Sequence, residues 1–514
     1  MGKKIIYITM CLFLVSCSNS ESNIKKVETL DELRYLKDAY NIKEVYVKDK
    51  EYGGLFIYND KLKDRDNNRT VIQGWVREYK GKEVSITWFG ATPDDEVDDT
   101  VAIKEALALS GHITMPRGVY HVKELNRTGV TIIDGNGSVF KSELDTSDNG
   151  RRSKNILTLS GEKIEIKNLL LDGAYTSGNA KAGDKVSSLL HIYDSKNILL
   201  DHVDTVNYSS NWWDSQQFNY NQLNSNHSMD MYHTVYIGFS DTIQIKNMHQ
   251  RGNIKTEGLL IYESDNINIE NFKSDNSPDI WTSLHIVASD NIKMNSIEVS
   301  DGAPNQGGSS INFIANHHFH IQNVKTVNKQ GFDISNEIKV EGLRGRVTRD
   351  TSYGVIESSH IEGQRALYGY PMVDKSKELL FKNTTFVPTK EGSGTWGARL
   401  EQGEDIRFDG CTFGSQKYKT YGIIMGESAN ITVENSTFIN PSTAIYLFGK
   451  RFGEVVVENN HFEGEGYTPV KFYWANSRGE ADKFIFKDNI FKGEVENNKF
   501  FSVENSFFIK KIIK

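Results

Sequence analysis

His191, Tyr236, His285 and Asn312 recur at one place in a repeating pattern, each six residues before a polar turn position. Asp333, in the string "GFDISNE", takes the same place by likeness of pattern, and Leu260 stands between Tyr236 and His285. Imidazole, phenol and carboxyl groups exchange protons with a ligand near neutral pH, and an amide fixes hydroxyls. Arg251, Lys255 and Arg399 add cations that could hold an anionic group. Any one of these residues alone reads as surface decoration. Their concentration in one column, with Tyr193, Tyr262, Thr234 and Ser283 in neighbouring columns, reads as acid–base chemistry on an anionic ligand. His191, Tyr236, His285 and Asp333 are the candidate catalytic residues. Later coils bring Met372, Ile424 and Phe448 to that column, which places the groove over the first half of the repeat.

The elements that must position them are short strands. "GLLIYESDNINIENFKSDN", "SLHIVASDNIKMNSIEVSD" and "SINFIANHHFHIQNVKTVN" each alternate with period two, turn at a polar site, and alternate again. Thr242, Asn266, Asn291, His318, Glu378, Asp405, Asn430 and Glu454 are equivalent turn positions, mostly 24 to 27 residues apart. The step of 60 from His318 to Glu378 must hide a further coil around "GVIESSHIEG". A repeat of this length built of short strands is a solenoid. Alternation gives every strand one buried face. The inward set is Leu259, Ile261, Ile267 and Ile269, then Leu284, Ile286, Ile292 and Met294, then Ile311, Phe313, Phe319 and Ile321. Asn247, Asn271, Asn323, Asn383, Asn435 and Asn459 share a second turn, where a stack would satisfy unpaired backbone groups. Leucine-rich repeats need a helical turn and a leucine signature per repeat, and neither occurs. The expected class is therefore all-β, a parallel β-helix.

The ends differ from the repeat. Lys3 and Lys4, the apolar run Ile5 to Val15 and "LVSC" resemble a bacterial lipoprotein signal over residues 1–16, with lipid on Cys17. Residues 17–87 read as a small α/β cap, with "TLDELRYLKDAY" as a helix and "GGLFIYND" and "TVIQGWVREY" as a hairpin-like pair. Residues 88–514 read as the β-helix domain, and the apolar tail "FFSVENSFFIKKIIK" packs on its last coil. The net charge of −8 argues against nucleic acid as a partner. Three cysteines imply no disulfide framework, and Cys411 reads as packing. The expected location is outside the cell or in the periplasm, tethered by lipid to the outer membrane, and the expected state is a monomer.

"WFGATPDDEVDDTVAIKEAL" followed by "GHITMPRGVYHV" resembles the entry segment of pectate-lyase-like right-handed parallel β-helix proteins. The matching residues are Phe89, Gly90, Ala91, Asp98, Asp99, Thr100, Ala102, Ile103, Pro116, Gly118 and Tyr120. "GGLFIYND … GWVREY" resembles the lead-in of phage tailspike β-helices. One departure is that "PDDEVDD" stands where a Gly-Asp-Gly turn is usual. Locally, Asp98 or Asp99 can accept from the first-turn N–H groups of a helix, with Val101, Ala102, Ala106 and Leu107 near one face. The resemblance implies a carbohydrate ligand, and members include lyases, hydrolases, epimerases and depolymerases. Fold alone does not choose among these.

The insertion at 207–233 is rich in aromatics and amides, which stack on sugar rings and bond their hydroxyls. Trp212 and Trp213 are its candidate substrate-binding residues, beside Asn312 and Tyr262. Elimination at a uronate needs a base, an acid and a cation for the carboxylate. His285, Tyr236 and Arg251, Lys255 or Arg399 supply these. The leaving group is a sugar oxygen or, in a dehydratase, water. Hydrolysis needs paired carboxylates, for which Asp333, Glu337, Asp374, Glu401 and Glu257 are available, but the Asn-Thr-Asp and Gly-His-Gly motifs of polygalacturonase-like hydrolases are not found. Elimination on an anionic polysaccharide or oligosaccharide is the leading reading. Hydrolysis is the alternative, and a non-catalytic glycan-binding β-helix is the third. No spacing suggests zinc; no cofactor is expected to be required, and calcium stays open.

Overall fold

The computed structural model describes residues 24–514 except 38, 40, 51, 80–82, 143–155, 175–187, 209–232, 253–256, 276, 278–279, 281, 301–308, 328–329, 336–350, 364, 370–375, 392–393, 475–477 and 505–506. The chain divides into two compact units, Met1–Lys80 and Gly81–Lys514.

In the first unit, five strands form a mixed sheet around Val27, Leu33, Val45, Val47, Phe56, Ile72 and Trp75. The helix is only Leu30–Arg34, shorter than its sequence suggests, with Thr29 Oγ1 accepting from Glu32 N–H at its start. Gly54–Tyr58 pairs antiparallel with Trp75–Arg77, as the hairpin-like reading expects. Arg77 is buried, donates to the Gly53 and Tyr52 carbonyls, and lies 4.6 Å from the Phe56 ring.

The second unit is a stack of coils. Its strands join one network in which every register between coils is parallel. Period-two alternation dictates the core, and all twelve inward residues named from three repeats are buried. A phenylalanine from successive coils stacks below the next, as at Phe386, Phe413, Phe438, Phe462 and Phe491. The hidden coil exists: Ser352–Glu357 pairs with His317–Thr326 on one side and Ser376–Lys382 on the other. The tail forms the last partial coil, Phe501–Val503 pairing with Thr468–Tyr473.

The bends have a local cause. Thr242, Asn266, Asn291 and His318, and again Asn247, Asn271, Asn323, Asn383, Asn435 and Asn459, all take positive φ. Asparagine tolerates that left-handed conformation better than most residues. The asparagine stack bonds differently from expectation. Its amides donate to side-chain oxygens one coil back, Asn271 to Asn247 at 3.0 Å and Asn323 to Asn295 at 2.8 Å. The backbone N–H groups of another bend are met by a serine ladder. Ser195, Ser240 and Ser264 N–H donate to Ser240, Ser264 and Ser289 Oγ, and Ser289 N–H donates to Asn316 Oδ1.

At the start of this unit, the helix Thr100–Leu109 buries Ala102, Ile103, Ala106 and Leu107, while Val101 is exposed. The acidic loop before it is a staple. Asp98 Oδ1 accepts from Thr100 N–H, and Asp94 Oδ1 accepts from Val119 N–H. Asp99 turns away from the helix and accepts from Thr92 N–H and His121 N–H.

Candidate functional site

The first strand of each coil carries the column that the sequence suggests. Parallel registers align His191 with Tyr236, Tyr236 with Leu260, Leu260 with His285, His285 with Asn312, and Asn312 with Asp333. Adjacent rungs stand about 4.8 Å apart, so Tyr236 and His285 are separated by roughly 10 Å. Their rings are organised. The His191 imidazole stacks on the Tyr236 phenol with centroids 4.7 Å apart, and Tyr193 meets His191 edge-on at 5.3 Å. His233 opens its strand at the corner and brings its ring to 6.2 Å from that of His285.

These groups are outward on the ladder but not open. His191, Tyr236, Leu260 and His285 are 1–3% exposed, and His233 is as deeply buried. Asn312 is half-buried, and its Oδ1 has no hydrogen-bond partner. Tyr236 and Leu260 of the column pack in an apolar cluster with Tyr262, Val287 and Ile314. Tyr262 belongs to that cluster, as Tyr236 does, and is equally buried. Its hydroxyl donates to Glu263 Oε1 at 2.8 Å, and burial drives its pKa far upward, with the Glu263 carboxylate adding to the effect. A Cβ at Gly238 would collide with the Tyr236 ring and hydroxyl, so glycine there makes room for the phenol.

Other expected residues fall elsewhere. Arg251 is on the third strand of its coil, paired in register with Val206 and Asp275. Arg399 is in the column, but four rungs beyond His285, about 19 Å away. It is therefore too far to hold the carboxylate of a sugar reacting at His285. Asp333 is placed by its backbone register alone. Cys17, Trp212, Trp213, Lys255, Glu337 and Asp374 lie outside the described residues.

Beyond Asp333 the column reads Tyr368, Arg399, Ile424, Tyr446 and Lys471. Tyr368 and Tyr446 thus take the places expected for Met372 and Phe448, because the turns after these strands are longer than in the earlier coils. The expected contrast between halves disappears: the second half carries its own aromatic and cationic cluster. Arg365 and Arg399 place their guanidinium carbons 5.0 and 4.9 Å from the Trp396 ring centre. Arg365, Tyr368 and Trp396 are the members that counting back from turns missed, while His233, expected in a turn beside the groove, opens the strand His233–Gly238. Alternation was no signal for His233 or Trp396, which share the parity of the inward Val235 and Ala398 and reach the site only from the starts of their strands. Among the described residues no group of three or more His, Cys, Asp or Glu is placed to hold a metal ion. Cys411 is buried, and burial pushes its thiol up to about 12, which makes it packing rather than nucleophile.

Fold and column together define an all-β, right-handed parallel β-helix protein. A family model described as a right handed beta helix region matches residues 389–510. No curated protein matches the chain. Similar solved structures include a tailspike of an Acinetobacter phage, at 12% identity and TM-score 0.36, covering 95% of this chain and 75% of that one. A hyperthermoactive exopolygalacturonase from Thermotoga maritima matches at 14% identity and TM-score 0.35, covering 88% and 96%. A Streptococcus pneumoniae surface protein and adhesin matches at 15% identity and TM-score 0.38, covering 84% and 100%.

Proposed function

We propose that the chain is a carbohydrate-active enzyme that performs β-elimination on a uronate-containing polysaccharide or oligosaccharide. The observation that carries the reading is the unbroken register from His191 to Asp333, six rungs that hold two histidines, a tyrosine, a leucine between Tyr236 and His285, an asparagine and, by backbone register, an aspartate. His285 takes the proton from the carbon beside the carboxyl group. The electron pair of that C–H bond forms the new C=C bond as the neighbouring C–O bond breaks. Tyr236 returns a proton to the departing oxygen. If that oxygen bears a sugar the chain is cleaved, and if it is a hydroxyl the product is water. Asn312, the half-buried member, positions hydroxyls.

The test uses protein from Ser18 onward, incubated with uronate polysaccharides and their oligosaccharides. Near-ultraviolet absorbance reports a C=C bond conjugated to the carboxylate. A rise that His285→Ala abolishes supports elimination, and product mass separates cleavage from loss of water. New reducing ends without absorbance would transfer the reading to hydrolysis. Silence in both signals with bound glycan would leave a binding protein. The proposal extends to export and tethering through Cys17, which lipid labelling of the full chain against Cys17→Ser tests. Chelation with add-back of calcium tests for a metal requirement.

A further inference from the structure

Arg365 and Arg399 belong to strands Arg365–Gly369 and Trp396–Asp409, on neighbouring rungs of the same face. Register pairs Arg365 with Trp396 and Tyr368 with Arg399, making a square of two cations and two aromatics. Trp396 is fixed by its indole N–H donating to the Leu367 carbonyl at 3.0 Å. Both guanidinium groups lie within 6 Å of the Tyr368 ring centre as well, at 5.8 and 5.9 Å, and Arg399 lies 5.6 Å from that of Phe448.

The charges do not balance. Arg399 is ion-paired with Glu401, whereas Arg365 has no carboxylate partner among the described residues. The Nε–H groups of both arginines are buried and donate to nothing. A buried, unsatisfied donor on a charged group is costly, more so than a neutral one. Two such cations around one indole favour a ligand with negatively charged acceptor oxygens. Carboxylate and sulfate both meet that need, and the planar fork of arginine suits them. Aromatic side chains continue along the face. Tyr446 lies 5.7 Å from Tyr421 and 6.1 Å from both Phe448 and Tyr473. All four are half-buried, so their rings are partly open to solvent. Rings that present a face take the apolar side of a pyranose, and the adjacent cations take its acidic substituent.

We propose that Arg365, Tyr368 and Arg399, backed by the buried Trp396, form a binding subsite for an acidic sugar residue, carboxylated or sulfated, about 19 Å along the column from His285. The inference rests on the reading that the ligand is an anionic glycan lying along this face, but not on elimination. It gives the protein a hold on the chain several sugar residues away from the reacting one.

The test separates binding from turnover. His285→Ala protein is titrated by calorimetry with a long oligogalacturonate, a sulfated oligosaccharide of similar length and a neutral cello-oligosaccharide. The expected result is binding of at least one acidic ligand, weakened about tenfold or more by Arg365→Gln and by Arg399→Gln. Which acidic ligand responds identifies the substituent. Tryptophan emission should change on binding and lose that change in Trp396→Phe. Unchanged melting temperatures in the glutamine variants exclude a folding effect; if Arg365→Gln is unstable, Arg365→Lys, which keeps charge but loses the fork, provides the comparison. Equal affinity in all variants, equal binding of the neutral ligand, or no binding of either acidic ligand overturns the subsite. A flat absorbance trace from the protein with His285 intact, together with arginine-dependent binding, would instead overturn elimination and leave the subsite standing.

Discussion

The His191 imidazole lies against the Tyr236 phenol, with planes 17° from parallel and centroids 4.7 Å apart. The contact joins two successive coils, because the two residues face each other in register. The ring is thus one part of what holds the phenol. Tyr236→Phe keeps the stack and removes the hydroxyl alone. If Tyr236 protonates the leaving oxygen, the variant should keep its melting temperature and lose about 10²- to 10⁴-fold in turnover. Initial rates by near-ultraviolet absorbance, set beside circular dichroism, check this. Full activity in a folded Tyr236→Phe would remove Tyr236 from the chemistry.

Gly238 should be coupled to that tyrosine. The space a Cβ would take there is filled by the Tyr236 ring and hydroxyl. Gly238→Ala should therefore destabilise the protein and displace the phenol. In a Tyr236→Ala background the same change should cost much less, since contacting residues are not additive. Urea midpoints for the four proteins of this cycle give the coupling. A coupling of zero would mean the phenol moves aside freely.

The phenylalanine column makes a third test. Phe413, Phe438 and Phe462 stack with centroids 5.0 Å apart and planes within 17°, all fully buried. Phe438→Ala removes a ring from the middle and leaves a cavity lined on both sides by rings. The expected loss is about 3–5 kcal/mol, and Phe438→Leu should lose less by filling part of the space. Denaturant unfolding of both variants decides it; similar values for Ala and Leu would mean that the coils close over the gap.

How far the sequence could be read follows from what each feature depends on. Alternation and the asparagine bends are local chemistry, so the coils, the twelve core residues and the register from His191 to Asn312 were legible in the string. The hidden coil was legible too, since only a further strand pair fills the step from His318 to Glu378. Column membership depends on turn length, which varies. Tyr446 precedes Glu454 by eight residues where Ile424 precedes Asn430 by six, and counting back from the turn lands on Phe448 instead. The same cause hid Tyr368, and with it the Arg365–Trp396–Arg399 cluster. Burial of His191, Tyr236 and His285 was not legible at all. Period two says which way a side chain points, not what lies over it.

Asp99 gives the fold a pH dependence whose sign can be worked out. Burial is the largest influence on its carboxyl and raises it from the usual 3.8 to about 6, against the N–H donors of Thr92 and His121 that favour the charged form. The folded protein thus holds a proton on Asp99 where the unfolded chain has released it. Between these two values the folded state binds more protons, so stability from this group falls as pH rises from about 4 to about 6. Above pH 6 both states are ionised and the dependence ends. Asp99→Asn cannot titrate, so its melting temperature should lack that part of the slope. It should also be lower overall, because an amide offers one oxygen where the carboxyl group meets two backbone donors. Melting curves of both proteins from pH 4 to 7 check the sign: a wild-type curve that rises relative to the variant's across this window would show that the two N–H donors outweigh burial and that Asp99 is an ordinary ionised staple.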